Sequence, residues 1–568
     1  MQRQSALEYL RAIPPGSETF RFRGGIFGFG IGRFRKGKEA SRDFFRFLLD
    51  LLRASGKEFM LFNSAEFIFA FLPVVLVGYF LLGKRSRRYA VAWLVAASLF
   101  FYAWWHPGDA PILVASVVFN YVMGLLIAKS RGPWRGRFTA LAIATNLTVL
   151  AYYKYANFFE HSALSYFGVH LFDNPIRLPI GISFFTFTQI AYLVDSYKRK
   201  ADEPDFLSYF LFVTYFPHLI AGPILHHAEM MPQFRSGASV RPSRDHINVG
   251  VTVFVIGLFK KVVIADSISS YANVVFDSIS SGQRPDFFDS WAAAIAYTFQ
   301  IYFDFSGYCD MAIGISILFN IKLPLNFNSP YKADSLIEFW RRWHMTLSRF
   351  LRDYLYIPLG GGRRGKARRY LNLFVTMLLG GLWHGAGFTF ILWGAFHGAG
   401  LAINHAWREV FPAKPGARTA RLPRILSTGS TLLFVIVGWV FFRAASLADA
   451  FAVLRGMVFL NGIAVPAFLT KAVPLARKFG VPLLADAPTA FDGNFLTSAI
   501  ILGAVVLFAP NVAQIMARQR PMLDEMAPVA RGSWSANGFW AVAIGVGAAA
   551  CLVIMAGAQK SQFLYFQF

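Results

Sequence analysis

Two histidines, each directly after a tryptophan, are the residues of this chain best suited to chemistry. His344 closes the stretch Phe339–His344, which reads Phe-Trp-Arg-Arg-Trp-His, and His384 lies in Gly380–Gly385, which reads Gly-Gly-Leu-Trp-His-Gly. An imidazole has an unperturbed pKa of roughly 6.5, so it can accept and return a proton near neutral pH. A histidine of this kind can activate a hydroxyl group as a nucleophile.

The surroundings of His384 strengthen this interpretation. From Leu371 to Ile403 the chain has no aspartate, glutamate, lysine or arginine, yet it contains His384 and His397. A titratable side chain at bilayer depth costs free energy and is by default a candidate functional residue. In one straight helix the two histidines would be about 20 Å apart, at roughly 1.5 Å per residue. The sequence Gly385-Ala386-Gly387 between them suggests a break, which would change this distance. His397 therefore has two open interpretations, a functional histidine and a core histidine bonded to a backbone carbonyl.

The composition indicates a membrane protein that would hold these histidines among transmembrane helices. Of the 568 residues, 55% are hydrophobic and only 15% are charged, and the mean hydropathy is +0.45. Such a composition is unlike that of soluble globular domains. We predict an all-α, polytopic fold with about a dozen spans of roughly 20 residues each. The predicted spans are 66–83, 89–105, 111–128, 138–153, 178–197, 206–225, 248–266, 289–319, 371–403, 425–443, 498–515 and 538–557.

Basic clusters on alternate loops predict the orientation of the spans. Lysines and arginines gather at 84–88, 129–137 and 198–200, whereas the loops at 106–110 and 157–175 contain few. The positive-inside rule makes the basic loops cytoplasmic. This pattern also accounts for much of the net charge of +25, so we do not expect a nucleic-acid partner.

Residues 1–59 differ from the remainder of the chain, because they are basic and contain no long apolar stretch. We predict two parts, an N-terminal extension at 1–59 and a transmembrane domain at 60–568. Met60 leads directly into the first span, which favours Met60 as the natural start. The alternative is a real cytoplasmic or interfacial arm.

The stretch from Ser335 to Tyr356 has apolar residues at helical spacing and predicts a basic amphipathic helix at the membrane surface. One interpretation is an interfacial anchor that contacts lipid. The other is a wall of a cytoplasmic funnel, in which His344 faces the reaction centre and Arg341 and Arg342 bind a phosphorylated donor.

Two acidic residues interrupt the predicted span at 289–319. Asp304 and Asp310 flank Ser306-Gly307, which suggests a bend or two short helices whose carboxylates line a cavity. The alternative is that these carboxylates cap exposed backbone amides. No group of cysteines and histidines has metal-ligand spacing, so we expect no metal site.

Several blocks of the chain resemble, in order and spacing, those of the membrane-bound O-acyltransferase (MBOAT) family, and are most similar to its alginate O-acetyltransferase branch. The two histidine blocks carry this resemblance, together with Leu178–Phe187, Phe303–Tyr308, Tyr356–Gly361 and Tyr565–Phe568. The resemblance extends from about Met60 to the last residue.

The resemblance implies a bundle of about 11 to 13 tilted and partly re-entrant helices around a catalytic tunnel. It implies that His384 is the general base, that His344 orients the acyl carbonyl or stabilises the oxyanion, and that Trp383 contacts substrate. Acetyl-CoA is the expected donor substrate, and no bound cofactor is expected. The implied acceptor is an exported polysaccharide, reached through periplasmic or membrane-anchored partner proteins at the bacterial inner membrane.

Two other functions remain open from the sequence. A related branch of the family transfers D-alanine to a cell-envelope polymer. A transporter could instead use intramembrane aspartates and histidines as a proton relay, although the chain lacks the repeated halves that are common in transporters.

Overall fold

The computed structural model describes residues 60–568 apart from several short segments. Nothing is described at 165–166, 168–171, 173, 202, 237–239, 413–420, 467–482, 485–489, 525–528, 530–531, 558–560 and 565–568. The N-terminal extension at 1–59 also lies outside the described residues, so the predictions about it stay predictions.

The first part of the described chain consists of long helices joined by short loops. A π-helical segment, Glu66–Phe71, continues into the first of them. The helices are α1 (Leu72–Gly83), α2 (Arg87–Trp105), α3 (Ala110–Lys129), α4 (Pro133–Phe159) and α5 (Ile182–Tyr197). Ser86 caps α2 by accepting a hydrogen bond from the backbone N–H of Arg88, which fixes where the chain re-enters a helix after the basic cluster.

The middle of the chain combines short helices with one long one. The short and medium helices are α6 (Phe206–Thr214), α7 (Phe216–Leu219), α8 (His227–Arg235), α9 (Arg244–Phe259) and α10 (Asp266–Ser280). A π-helical segment, Lys260–Ala265, joins α9 to α10. The long helix α11 (Phe287–Leu318) has 32 residues and packs along α9.

The last part holds both candidate histidines. Its helices are α12 (Leu336–Arg342), α13 (Met345–Leu351), α14 (Lys366–His384), α15 (Phe388–Val410), α16 (Arg421–Arg443), α17 (Leu447–Met457), α18 (Gly493–Phe508), α19 (Val512–Ile515) and α20 (Gly538–Gly557). Within the described residues the strands are β1 (Ile463–Ala464) and β2 (Leu483–Leu484), which pair in parallel.

The described helices confirm an all-α polytopic membrane fold. Six helical stretches in the described part of the chain are long and apolar enough to cross a membrane. They are Glu66–Gly83, Pro107–Lys129, Arg244–Ser280, Phe287–Leu318, Leu422–Arg443 and Gly538–Gly557. Each overlaps a span predicted from hydropathy.

The two short helices suggested around Ser306-Gly307 are wrong, because one helix, α11, continues through both residues. Gly307 serves close packing instead. A Cβ atom at Gly257 of α9 would lie only 2.6 Å from the carbonyl oxygen of Gly307. The small residues therefore let α9 and α11 approach each other while α11 stays helical.

The predicted continuous helix from Ser335 to Tyr356 is also wrong. It is divided at Trp343-His344 into α12 and α13, and His344 has a φ of 43°. The backbone N–H of Met345 donates to the carbonyl of Asn326 at 2.9 Å, so the preceding loop stabilises the division. The apolar side chains predicted for this stretch are nevertheless buried, including Trp343 and Leu347.

Candidate active site

His384 is the last residue of α14, and the break after it confirms the one predicted at Gly385-Ala386-Gly387. The next helix, α15, begins at Phe388 and packs back on α14. A Cβ atom at Gly394 would lie 2.5 Å from the carbonyl oxygen of Met377. Close contact between the two helices therefore fixes the end of α14 on which the imidazole is carried.

The His384 side chain is buried among aromatic rings. Its ring centroid lies 4.9 Å from that of Trp383, 5.1 Å from that of Trp393 and 5.1 Å from that of Phe442. The contacts with Trp393 and Phe442 are edge-on. These rings hold the imidazole in an apolar environment in which a substrate oxygen can be kept away from bulk water.

His344 lies in the break between α12 and α13 and is fully buried. Its Nδ1 is 3.1 Å from Oδ1 of Asn326. That oxygen also accepts from the backbone N–H of Thr346 at 3.2 Å. Because a backbone N–H can only donate, the Asn326 atom is an acceptor, and Nδ1 of His344 must carry the hydrogen. In the neutral imidazole, Nε2 then presents a lone pair.

Trp383 lies beside both histidines. Its ring centroid is 6.4 Å from that of His344 and 4.9 Å from that of His384, so one indole is a neighbour of both imidazoles. The structure thus brings together Trp383 and the two histidines that the sequence singled out.

His397 lies one aromatic ring farther away. Its centroid is 4.9 Å from that of Trp393 and 5.3 Å from that of Trp340. Neither ring nitrogen has a hydrogen-bond partner among the described residues. The structure therefore places it in an aromatic environment, without the backbone-carbonyl bond that a core histidine was expected to make.

One cavity of about 530 Å³ lies beside α12 and α13. Arginines and apolar side chains share its lining, which includes Trp340, Arg341, Thr346, Arg349, Arg352 and Met377. Arg349 makes a bidentate ion pair with Glu229. Arg341 is 70% exposed and has only a 3.8 Å contact with Glu338, so its guanidinium can bind a ligand anion. We call this the donor-side cavity.

A second cavity, of about 350 Å³, contains the candidate base. Its lining includes His106, Asp109, Lys154, Arg177, Trp383 and His384. Arg177 pairs with Asp109, so the charges near the loop residues are largely balanced. We call this the acceptor-side cavity.

The two cavities are associated with opposite ends of the helices. The donor-side cavity shares Arg349 with a smaller cavity that is lined by Lys198 and Lys200 of a basic loop. The acceptor-side cavity is lined by His106, which follows α2 (Arg87–Trp105). That helix has 19 residues and is roughly 28 Å long at about 1.5 Å per residue, so its basic start and the His106 loop face opposite sides.

Aromatic rings separate the two cavities. Trp340 lines the donor-side cavity and packs edge-on against Trp393 at 5.8 Å. Trp393, which is 1% exposed, in turn contacts His384 of the acceptor-side cavity. The rings of Trp340 and Trp393, which we call the tryptophan layer, therefore lie between these two cavities.

Three of the other predicted site residues lie elsewhere. Arg342 donates to Oε1 of Glu338 at 2.7 Å and is not among the residues that line the donor-side cavity. Asp304 pairs with Lys261 at 2.7 Å and Asp310 with Lys260 at 2.6 Å. Neither carboxylate lines the two cavities. Both instead compensate buried lysines of the segment between α9 and α10.

Sequence reasoning missed two residues that contact the histidines. Asn326 bonds the ring of His344, and Lys154 bonds the backbone carbonyl of His384 at 3.0 Å. Because Lys154 is an unpaired lysine at the end of an apolar span, it could have been identified from the sequence. No signal marked Asn326, because an asparagine in a loop does not reveal its partner. Among the described residues no group of acidic, histidine or cysteine side chains could hold a metal ion.

Comparison with known proteins agrees with this architecture. Residues 99–448 match the family model for MBOAT, the membrane-bound O-acyltransferase family. A peptidoglycan O-acetyltransferase of Helicobacter pylori is 45% identical over 432 residues, which are 71% of this chain and 81% of the relative. A probable alginate O-acetylase AlgI of Pseudomonas aeruginosa is 42% identical over 446 residues, 76% of this chain and 81% of the relative.

A more distant relative is a teichoic acid D-alanyltransferase of Streptococcus thermophilus, 29% identical over 240 residues, which are 40% of this chain and 57% of the relative. The region of this chain that matches the family model includes both candidate histidines and the tryptophans that line the two cavities. It covers more than half of the chain. The chain therefore belongs to the membrane-bound O-acyltransferase family and is a multi-pass membrane acyltransferase.

Proposed function

We propose that this protein O-acetylates an exported polysaccharide, using His384 to move acetyl groups from a cytoplasmic donor to an acceptor on the other face of the membrane. The observation that carries the proposal is that His384 lines one of two cavities that belong to opposite ends of the helices, while the ring of Trp393 joins it to Trp340 of the other cavity. The names of the relatives at 45% and 42% identity, which are O-acetyltransferases of two glycans, support the acetyl group and the glycan.

The donor in this proposal is acetyl-CoA, bound in the donor-side cavity. Arg341 and its neighbours are suited to phosphate oxygens, because arginine presents several N–H donors in a fixed plane. The apolar part of the lining, including Trp340 and Met377, suits a pantetheine chain that extends toward the histidines. The positive-inside rule makes this face cytoplasmic, where acetyl-CoA would be supplied.

His384 acts as the general base. It takes the proton from the acceptor hydroxyl, whose oxygen bonds to the acetyl carbon. The carbon–sulfur bond of the thioester then breaks, and the leaving thiolate receives the proton from the imidazolium. Positioned proton transfer of this kind typically contributes about 10²- to 10⁴-fold to a rate.

The tautomer of His344 constrains its role. With the hydrogen on Nδ1 held by Asn326, a neutral His344 offers a lone pair at Nε2 and cannot donate from there to an oxyanion. Stabilising an oxyanion would require a second proton on this ring. We therefore propose that neutral His344 accepts a hydrogen bond from substrate or from a protonated group during the reaction.

The acceptor in this proposal carries a single hydroxyl group into the acceptor-side cavity. At about 350 Å³ this space is near the lower end of ligand sites, and it suits a side chain better than a polymer. A periplasmic or membrane-anchored acetyltransferase partner would then complete transfer to the polysaccharide. The location that we propose for the protein is therefore the inner membrane of a bacterium.

The test is the ester-linked acetate of purified glycans from a strain that lacks this protein, complemented with wild type or His384→Ala at matched membrane abundance. Exopolysaccharide and peptidoglycan fractions are measured separately, and ester-linked D-alanine is measured in parallel. We expect acetate to be restored only by wild type, in one glycan fraction. Restoration of D-alanine alone would replace this proposal with the D-alanyl function, and full acetylation by His384→Ala would overturn the role of His384.

A further inference from the structure

A buried lysine lies directly behind the catalytic helix. Lys154, near the end of α4, is 9% exposed, and its ammonium group contacts the last residues of α14 rather than an acid. Nζ donates to the backbone carbonyls of Trp383 and His384, the latter at 3.0 Å, and reaches Oγ of Ser183 at 3.4 Å. Among the described residues no carboxylate forms an ion pair with it.

The adjacent residue makes the same kind of contact. The hydroxyl of Tyr155 donates to the carbonyl of Leu382 at 2.7 Å. The last four carbonyls of a helix have no partner within the helix, and for α14 these belong to Gly381, Leu382, Trp383 and His384. Two consecutive side chains of α4 therefore satisfy three of the four.

We propose that Lys154, assisted by Tyr155, is a positioning residue that fixes the end of α14 and thereby the imidazole of His384. A cation at a helix C-terminus also interacts favourably with the partial negative charge there. In a membrane interior, carbonyls without such donors would have to find other partners. The final turn would then unwind or rotate, and it is this turn that carries the catalytic ring.

The Lys154 side chain makes a second kind of contact, with the ring of Trp383. The ammonium group lies 5.8 Å from the ring centroid of Trp383, so the same side chain contacts the indole that lies beside both histidines. Lys154 also lines the acceptor-side cavity. A role in binding the acceptor is therefore the competing explanation, and the experiment has to separate positioning from binding.

The inference rests on the proposed function, since its readout is the initial rate at which ester-linked acetate appears in the glycan after induction. The variants are Lys154→Met, Lys154→Arg and Tyr155→Phe. The controls are Lys129→Met at an exposed helix end and Tyr152→Phe at an exposed position of α4. Membrane abundance and thermal unfolding in detergent are measured for each protein.

We expect Lys154→Met to lower the rate by about 10²-fold, since a displacement of about 1 Å at a reacting group can have that effect. Lys154→Arg, which keeps the charge and the donors, should recover at least a tenth of the wild-type rate. Tyr155→Phe should lose about 3- to 10-fold although it does not touch the cavity, and Lys154→Met combined with His384→Ala should be no slower than His384→Ala alone. Both controls should match wild type.

A wild-type rate in Lys154→Met at normal abundance would overturn the inference. So would a silent Lys154→Met protein combined with a fully active Tyr155→Phe protein, which would assign Lys154 to acceptor binding. If Lys154→Met does not accumulate, Tyr155→Phe decides between the same two outcomes. If wild type itself restores no acetate, the proposed function fails, and that result is distinct from every outcome above.

Discussion

The two cavities differ in size, charge and distance from the candidate base. The donor-side cavity holds about 530 Å³ and is bordered by Arg341, Arg349 and Arg352, whereas the acceptor-side cavity holds about 350 Å³ and contains His384 itself. The larger cavity has the groups expected of a binding site, because its arginines suit phosphate oxygens and its apolar walls suit an aliphatic chain. The smaller cavity contains the candidate base, which is the group that can take part in the reaction. In the proposed function, the reacting hydroxyl would therefore meet the base directly, while the donor would reach across the tryptophan layer.

The tryptophan layer lies on the path from the donor-side cavity to the candidate base. Trp340, Trp393 and His384 form a series of ring contacts between the cavities. In the proposed function, a thioester that enters from the donor side would be separated from water on the acceptor side by these rings.

Loss of the base is the change with the largest expected effect. His384→Ala should lower the rate of acetyl transfer by about 10²- to 10⁴-fold, because proton removal from the hydroxyl loses its positioned acceptor. The measurement is glycan-linked acetate at matched protein abundance. His246→Ala, which changes a histidine at the start of α9 that bonds Asn320, is the control and should retain the wild-type rate. Equal losses in the two variants would contradict a specific role for His384.

Asn326→Leu tests whether the tautomer of His344 matters. Leucine cannot accept from Nδ1, so the ring can adopt either tautomer and rotate, and we expect about a 10²-fold loss of rate. Asn248→Leu, at an exposed position of α9, is the matched control. Wild-type activity in Asn326→Leu would show that the orientation of His344 is irrelevant to the reaction.

Substitution of two adjacent arginines distinguishes an effect on donor binding from a general effect of surface charge. Arg341→Gln removes a cation of the donor-side cavity and should raise the KM for acetyl-CoA about 10-fold, the loss expected for one charge-assisted hydrogen bond. Arg342→Gln removes a cation that instead pairs with Glu338, and its KM should stay within about twofold. The assay is release of CoA by membranes as the acetyl-CoA concentration varies. Identical KM values in the two variants would exclude the assigned phosphate contact.

The smallest expected effect concerns the tryptophan layer. Trp393→Ala should let water reach the thioester and raise the ratio of CoA released to acetate transferred by a few fold. Trp407→Ala, on an exposed part of the same helix, should leave that ratio unchanged. Thermal unfolding distinguishes uncoupling from loss of fold, since truncating a buried tryptophan commonly costs about 3–5 kcal/mol. An unchanged ratio in a folded Trp393→Ala protein would show that the layer does not separate the cavities.

The sequence predicted the break between α14 and α15 well because its signals are local. An uncharged stretch with a histidine before Gly385-Ala386-Gly387 indicated both a candidate base and a break, and the structure has α14 end at that histidine. Hydropathy likewise predicted the spans, because burial in lipid requires long apolar segments.

The failures of prediction concern contacts between distant parts of the chain. Gly307 was expected at a division between two short helices, but its role is set by Gly257, 50 residues earlier, which approaches it closely. Asp304 was expected in a cavity, but Lys261 binds it from another helix. Helical spacing predicted one helix through His344, because spacing alone does not reveal that the Asn326 loop stabilises a break there.

The most direct test of the central claim, that donor and acceptor reach His384 from opposite faces, is the sidedness of the two cavities. Both cysteines of the chain, Cys309 and Cys551, are buried, so variants with one added cysteine can be labelled over a low background with a membrane-impermeant maleimide. We predict that Ser348→Cys, in the donor-side cavity, reacts only in inside-out vesicles, and that Leu178→Cys, in the acceptor-side cavity, reacts only in right-side-out vesicles. Labelling of both positions from the same face would contradict the account.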